Sequence, residues 1–384
     1  MAFLSDLLTP SNVRALDFGP GTLGSRVFQA ADAPKKETKL LLLGVPEYRA
    51  AGLKSGCNEP DKVREKLFRL FPQGFSGKIM DLGDILPGNS LNDTYSAVVQ
   101  VLSEINQWNI PLVFIGGSSD LITPILQTQE RFEQYYTALA VDYQIDFDPT
   151  LEEVNHKNYL YPFFVDSPKF LYQYLHVGLQ SYLQNQDILK FFSSVNYDAT
   201  RLGKLRGNIH LSEPVFRQAD LVFFDFSALK YSEAGSSLVK NPNGFYSEEF
   251  CQMARYAGFS DHVNTLGLFD LHLDPLSENS TVTAALAAEL IWCFIEGLAQ
   301  RKVELPLKND KRYLRYSVFL EDFNRDIIFF KSLNTGRWWI ETPESKDQNT
   351  AKSRLDLIPC GEEDYQSALS NRIPDAWWIS LFRS

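Results

Sequence analysis

Cysteine is scarce. Cys57, Cys251, Cys293 and Cys360 are the only four in 384 residues, dozens of positions apart and never in a CxxC or CxxxC pair. That spacing argues against a zinc knuckle or a disulfide framework and predicts reduced thiols. Basic clusters are equally lacking. No Lys/Arg run exceeds a pair, and 37 basic against 48 acidic residues leave a net charge of −11. Neither a nucleic-acid backbone nor an anionic membrane finds a docking surface there, so no nucleic-acid partner is expected. The chain opens Met-Ala-Phe-Leu-Ser-Asp, without a basic start and with Asp6 ahead of any apolar stretch of useful length. No secretory signal is expected, and a cytoplasmic location follows. The longest apolar segment, 282–298, is broken by Glu289 and Glu296, so no membrane insertion is expected.

Aromatic and aliphatic residues are plentiful: 28 Phe, 17 Tyr and 6 Trp within 44% hydrophobic residues exceed what a disordered chain carries. Residues 1–37 hold Pro10, Gly19, Pro20, Gly21 and Gly24 and read as a loosely structured N-terminal arm. From Lys39 short apolar runs alternate with helix-like segments. The runs are 39–45, 77–80, 111–115, 138–142, 174–179, 220–226 and 263–271; helix candidates include 60–71, 90–106, 247–256 and 281–299. Runs apolar at nearly every position predict strands covered on both faces, hence a three-layer α/β/α sandwich with a mostly parallel sheet over residues 38–305. Beyond Pro306 the pattern changes to three aromatic strand-like pieces, at 313–320, 326–331 and 336–340, then a polar stretch at 341–353 and a helix candidate at 362–370. Residues 306–384 are expected to form a small antiparallel, β-rich C-terminal appendage.

In open parallel sheets ligands bind beyond the carboxyl ends of the strands. Four such ends collect polar groups: Gly116-Gly-Ser-Ser-Asp120, Asp142-Tyr-Gln-Ile-Asp146, Asp225-Phe-Ser227 and His272-Leu-Asp274. If these strands are neighbours, several carboxylates face one crevice.

An ordered series of short motifs over about residues 40–300 resembles the ureohydrolase superfamily, the arginase, agmatinase and formimidoylglutamase group. The series runs Gly44-Val-Pro, Pro60-Asp-Lys-Val-Arg64, Asp81-Leu-Gly-Asp84, Gly116-Gly117, Gly178, Asn243-Gly-Phe-Tyr-Ser-Glu-Glu249 and Asp274-Pro with Thr283-Ala-Ala-Leu-Ala-Ala288. The resemblance implies an arginase-like fold and a two-manganese site built from Gly-Gly-Asp-His, Asp-x-His-x-Asp and Ser-x-Asp-x-Asp. Such carboxylates and imidazoles hold divalent ions that generate hydroxide near neutral pH. Of the six implied ligand positions, Asp142, Asp146 and Asp225 remain, while Ser119, Gln144 and Ser227 are substitutions. His272 stands where the family has a substrate-binding glutamate, and His156 lies in the loop where arginases hold a proton-shuttling histidine.

Bland readings stand beside these. The aspartates can cap strand-end loops, Ser118 and Ser119 can cap the following helix, His156 can be a surface residue and His272 a satisfied polar one. His176 and His210 carry no assigned chemistry, and the pairs Trp338-Trp339 and Trp377-Trp378 are expected in core or interface. The favoured expectation is a pseudoenzyme: a ureohydrolase-like binding or scaffolding subunit, in a homo-oligomer or with a protein partner, without a cofactor. The alternative is a divergent hydrolase of a formimino, guanidino or amide C–N bond, using one divalent ion, manganese or magnesium, on Asp142, Asp146 and Asp225 with His272 or Gln144.

Overall fold

The computed structural model describes residues 4–13, 18–29, 33–54, 59–165, 168–195, 197–273, 278–306, 310–342, 357–375 and 377–378. Nine parallel strands form its main sheet: β1 (Val27–Gln29), β2 (Thr38–Val45), β3 (Lys78–Asp84), β4 (Leu112–Gly116), β5 (Tyr136–Val141), β6 (Leu171–Leu179), β7 (Asp198–Arg201), β8 (Leu221–Asp225) and β9 (Thr265–Phe269). Their order is β1-β3-β2-β4-β9-β8-β5-β6-β7. Every pairing is parallel. Alternate residues of these strands feed opposite faces. On β4, Val113 and Ile115 join one buried cluster while Leu112 and Phe114 join the other, which is why the strands read as continuous apolar runs.

Helices cover both faces. The helix Leu91–Asn106 begins where Ser90 Oγ accepts the Asp93 amide and the Asp93 carboxylate accepts the Ser90 amide, a reciprocal cap. On the other face Ser247–Phe259 packs against Glu278–Gln300. The second of these is the one described helix long and apolar enough to cross a membrane by length and composition, yet its Ala287, Leu290, Ile291, Phe294 and Ile295 are buried in the core.

Two parts of the sheet depart from expectation. The N-terminal segment, expected to be loosely structured, supplies the edge strand β1 and an antiparallel bridge from Thr9 to Asp84; Ser11 Oγ donates to Asp61 Oδ1 at 2.6 Å. Three residues are too short for a periodicity signal, and the anchoring contacts come from distant sequence. Strand β7, with Asp198, Thr200 and Arg201 half-buried or exposed, likewise lacks the apolar signature.

The C-terminal residues form a separate antiparallel sheet of β10 (Tyr313–Leu320), β11 (Arg325–Ser332), β12 (Trp338–Glu341) and β13 (Leu357–Cys360), followed by a helix at Glu362–Leu369. Strand β13 was not anticipated, and the polar stretch 343–353 lies outside the described residues. Trp338, Trp339 and Trp377 are buried, as expected of packing residues, while Trp378 is exposed. Trp338 stacks on Tyr365 at 5.0 Å. Buried Arg217 ties the sheets together, donating to the Trp338 carbonyl at 3.1 Å and the Cys360 carbonyl at 3.0 Å.

Candidate functional site: a buried aspartate cluster

The adjacent strands β4, β9, β8 and β5 deliver the four polar ends to one crevice, and the loops there are shaped by glycine. A Cβ on Gly117 would fall 1.9 Å from the Glu47 carbonyl oxygen, so only glycine lets the β4 exit lie against that backbone. Gly178, at φ +109°, turns the end of β6 beside the Asp142 carbonyl, a conformation that L side chains disfavour.

Asp142, Asp146 and Asp225 are buried, and each offers a carboxylate oxygen within 4.8 Å of the others. Asp142 Oδ1 accepts the Tyr143 amide at 2.5 Å, while its Oδ2 is buried without a hydrogen-bond partner among the described residues. Asp225 Oδ1 accepts the Ser227 amide at 2.6 Å. Gln144 Nε2 donates to Asp146 Oδ1 at 2.9 Å.

A fourth carboxyl joins them. Asp270, buried and at φ +60°, closes β9, and its charge acts on Asp225; its Oδ1 accepts the Ser119 amide at 2.9 Å. It was overlooked in the sequence because it lies inside the apolar run 263–271. Its signal was the one that exposed Asp142 and Asp225, a charge closing a buried strand. His156, for which a surface position was the plain reading, is half-buried and brings Nδ1 to 3.7 Å from Asp270 Oδ2. The Ser119 hydroxyl donates to the His156 carbonyl at 2.7 Å, and the Ser118 hydroxyl donates to Asp120. Neither serine side chain caps the helix, contrary to expectation. His272 lies edge-on to Tyr48, ring centres 6.0 Å apart. The Asp274-Pro motif lies outside the described residues.

Two carboxylates about 4 Å apart repel by roughly 4 kcal/mol at an effective dielectric near 20. Burial and mutual repulsion accordingly push these groups toward their protonated forms. Asp142 and Asp225 are raised well above the carboxylate range. Burial, then the Asp225 charge, raises Asp146 to about 7, and burial, then the Asp146 charge, raises Asp270 to about 8. Burial lowers His156 despite the carboxylates beside it.

No family model matches the chain, and no curated protein matches it. Solved structures do. Formiminoglutamase from Trypanosoma cruzi, solved with Mn2+, superposes with a TM-score of 0.64 at 19% identity over 73% of this chain and 99% of that one. Formimidoylglutamase from Bacillus subtilis gives 0.64 at 14%, covering 73% and 93%. The agmatine ureohydrolase of Thermoplasma volcanium gives 0.58 at 15%, covering 73% and 94%. The chain has the ureohydrolase fold.

The two-manganese group implied by that fold fits these residues poorly. Three aspartates are hard donors suited to a divalent ion, and Asp142 Oδ2 is buried without a hydrogen-bond partner among the described residues. The substituted positions supply no histidine, however. Gln144 directs an N–H donor at Asp146, and Asp225 accepts the Ser227 amide. The set is incomplete for a metal pair.

Proposed function

We propose that the chain is a ureohydrolase-fold protein that has given up two-metal hydrolysis and serves as a binding or scaffolding subunit in the cytoplasm, self-associated or with a protein partner. The observation that carries this reading is the Gln144 to Asp146 hydrogen bond. It satisfies by donation a carboxylate that would otherwise need a cation, and burial favours a proton on the remaining carboxyls. Hydroxide generation needs closely held divalent ions, and a network relieved by hydrogen bonds and protons has little call for them.

Metal analysis of the purified protein, followed by assays with arginine, agmatine and formimidoylglutamate in added manganese, tests this. Less than stoichiometric metal and no turnover are expected. Turnover near about 1 per second on any of the three, within the ordinary enzyme range, contradicts it.

The buried Asp142 Oδ2, without a hydrogen-bond partner among the described residues, favours one competing reading, a single divalent ion, manganese or magnesium, on Asp142, Asp146 and Asp225 serving hydrolysis of an amidine-like or amide C–N bond. A stoichiometric single metal whose removal lowers the melting temperature decides for that reading.

A further inference from the structure

A second cavity, of about 220 Å³, opens at the opposite end of the sheet, where the N-terminal ends of β5 and β6 meet the C-terminal sheet. The five residue steps from Thr137 to Asp142 separate it from the aspartate cluster by roughly 16 Å, at about 3.3 Å per step. It exceeds the roughly 150 Å³ of an apolar cavity that holds benzene. Tyr135, Tyr172 and Trp339 contribute its aromatic walls. Tyr135 and Leu305, 42% and 54% exposed, mark a rim open to solvent.

Gln173 also lines this cavity. It is 2% exposed, and its Nε2 is buried without a hydrogen-bond partner among the described residues. Leaving an amide unpaired in such surroundings is costly, and a ligand that pairs it recovers that cost. The charged groups nearby are already engaged. Arg217 serves two carbonyls and Glu213, Arg337 lies 3.1 Å from Glu213, Glu304 accepts from the Ser332 and Thr335 hydroxyls, Asp220 accepts the Thr137 amide, and Asp261 accepts the Glu304 amide at 3.3 Å and lies 3.9 Å from His262 Nε2. A net charge on the ligand therefore finds no free counterion among these residues.

We propose that this cavity is a binding site for a small, neutral, planar ring compound bearing a cyclic amide, with its carbonyl on the Gln173 carboxamide and its ring between the aromatic walls. A lactam edge carries an acceptor beside a donor, which matches a carboxamide in either orientation. The cavity takes one or two fused rings. Trp339 and its neighbours from the C-terminal sheet complete the wall, which gives that sheet a binding role independent of the aspartate cluster.

Titration calorimetry of the full chain with 2-quinolinone, and with naphthalene as the ring lacking an amide edge, tests the proposal. Saturable one-to-one binding of 2-quinolinone with a Kd below about 1 mM is expected, unchanged by chelator. Gln173→Met keeps the unbranched shape and removes the amide; it should weaken 2-quinolinone about tenfold or more and leave naphthalene unaffected. Failure to saturate overturns the proposal, as does equal affinity for the two rings or unaltered 2-quinolinone binding in Gln173→Met. Should Gln173→Met not fold, Leu305→Trp at the exposed rim is expected to obstruct entry and abolish binding, and binding as in the parent protein overturns the proposal.

Discussion

The carboxamide of Gln144 donates to the carboxylate of Asp146 at 2.9 Å, inside a cluster of buried aspartates at the sheet's carboxyl edge. That bond satisfies Asp146 Oδ1 by donation, and it makes Asp146 the residue on which the two functional alternatives divide.

Asp146→Asn keeps a carbonyl oxygen for Gln144 and removes one repelling charge. At pH 8 the melting temperature should stay level or rise, and a chelator should leave the parent protein unchanged. Differential scanning calorimetry with and without chelator measures both. A clear drop under chelation, reversed by manganese or magnesium, supports the one-metal reading instead.

Stability should fall on the alkaline side. Asp146 at about 7 and Asp270 at about 8 lie above the unfolded value, so folding takes up protons. Their contribution is full below about pH 4 and is lost as pH rises through those folded values. The histidines act oppositely. Burial lowers His156 and takes His176 down to about 4, so their contribution is lost as pH falls below about 6.5. Melting temperatures should therefore decline as pH rises from about 6.5 to 8 and level off above that, and Asp270→Asn should flatten that decline. Asparagine tolerates the left-handed backbone at this position. An unaltered alkaline limb in the variant would place the titration elsewhere.

Arg64 is fully buried between Asp61, Asp81 and Asp84 at 3.1, 3.0 and 2.7 Å, and it also donates to the Gly83 carbonyl at 2.9 Å. Arg64→Met strands three buried carboxyls and should cost roughly 3–5 kcal/mol, measured by urea denaturation. A loss below about 1 kcal/mol would mean that the carboxyls pair adequately without it.

Truncation after Lys302 removes the carbonyl acceptors that Trp338 and Cys360 give to Arg217, a residue buried against the C-terminal sheet. The shortened chain should melt lower and aggregate, as newly exposed apolar surface does. Light scattering and calorimetry check this; a monodisperse product with the parent melting temperature would make the C-terminal sheet an independent attachment.

The sequence by itself determined the α/β alternation and the strand ends where chemistry collects, because burial on both faces writes itself into local runs such as Leu40–Val45 and Leu221–Phe224. Tertiary structure decided what is not local. Asp270 and His156 reach the aspartates only because β9 inserts between β4 and β8 and the 142–160 loop folds over the crevice. The docking of β1 on β3 and the Gln173 cavity depend on partners tens or hundreds of residues away. Periodicity records which side of an element is dry; which distant groups share that dry space is set by how the crossovers stack.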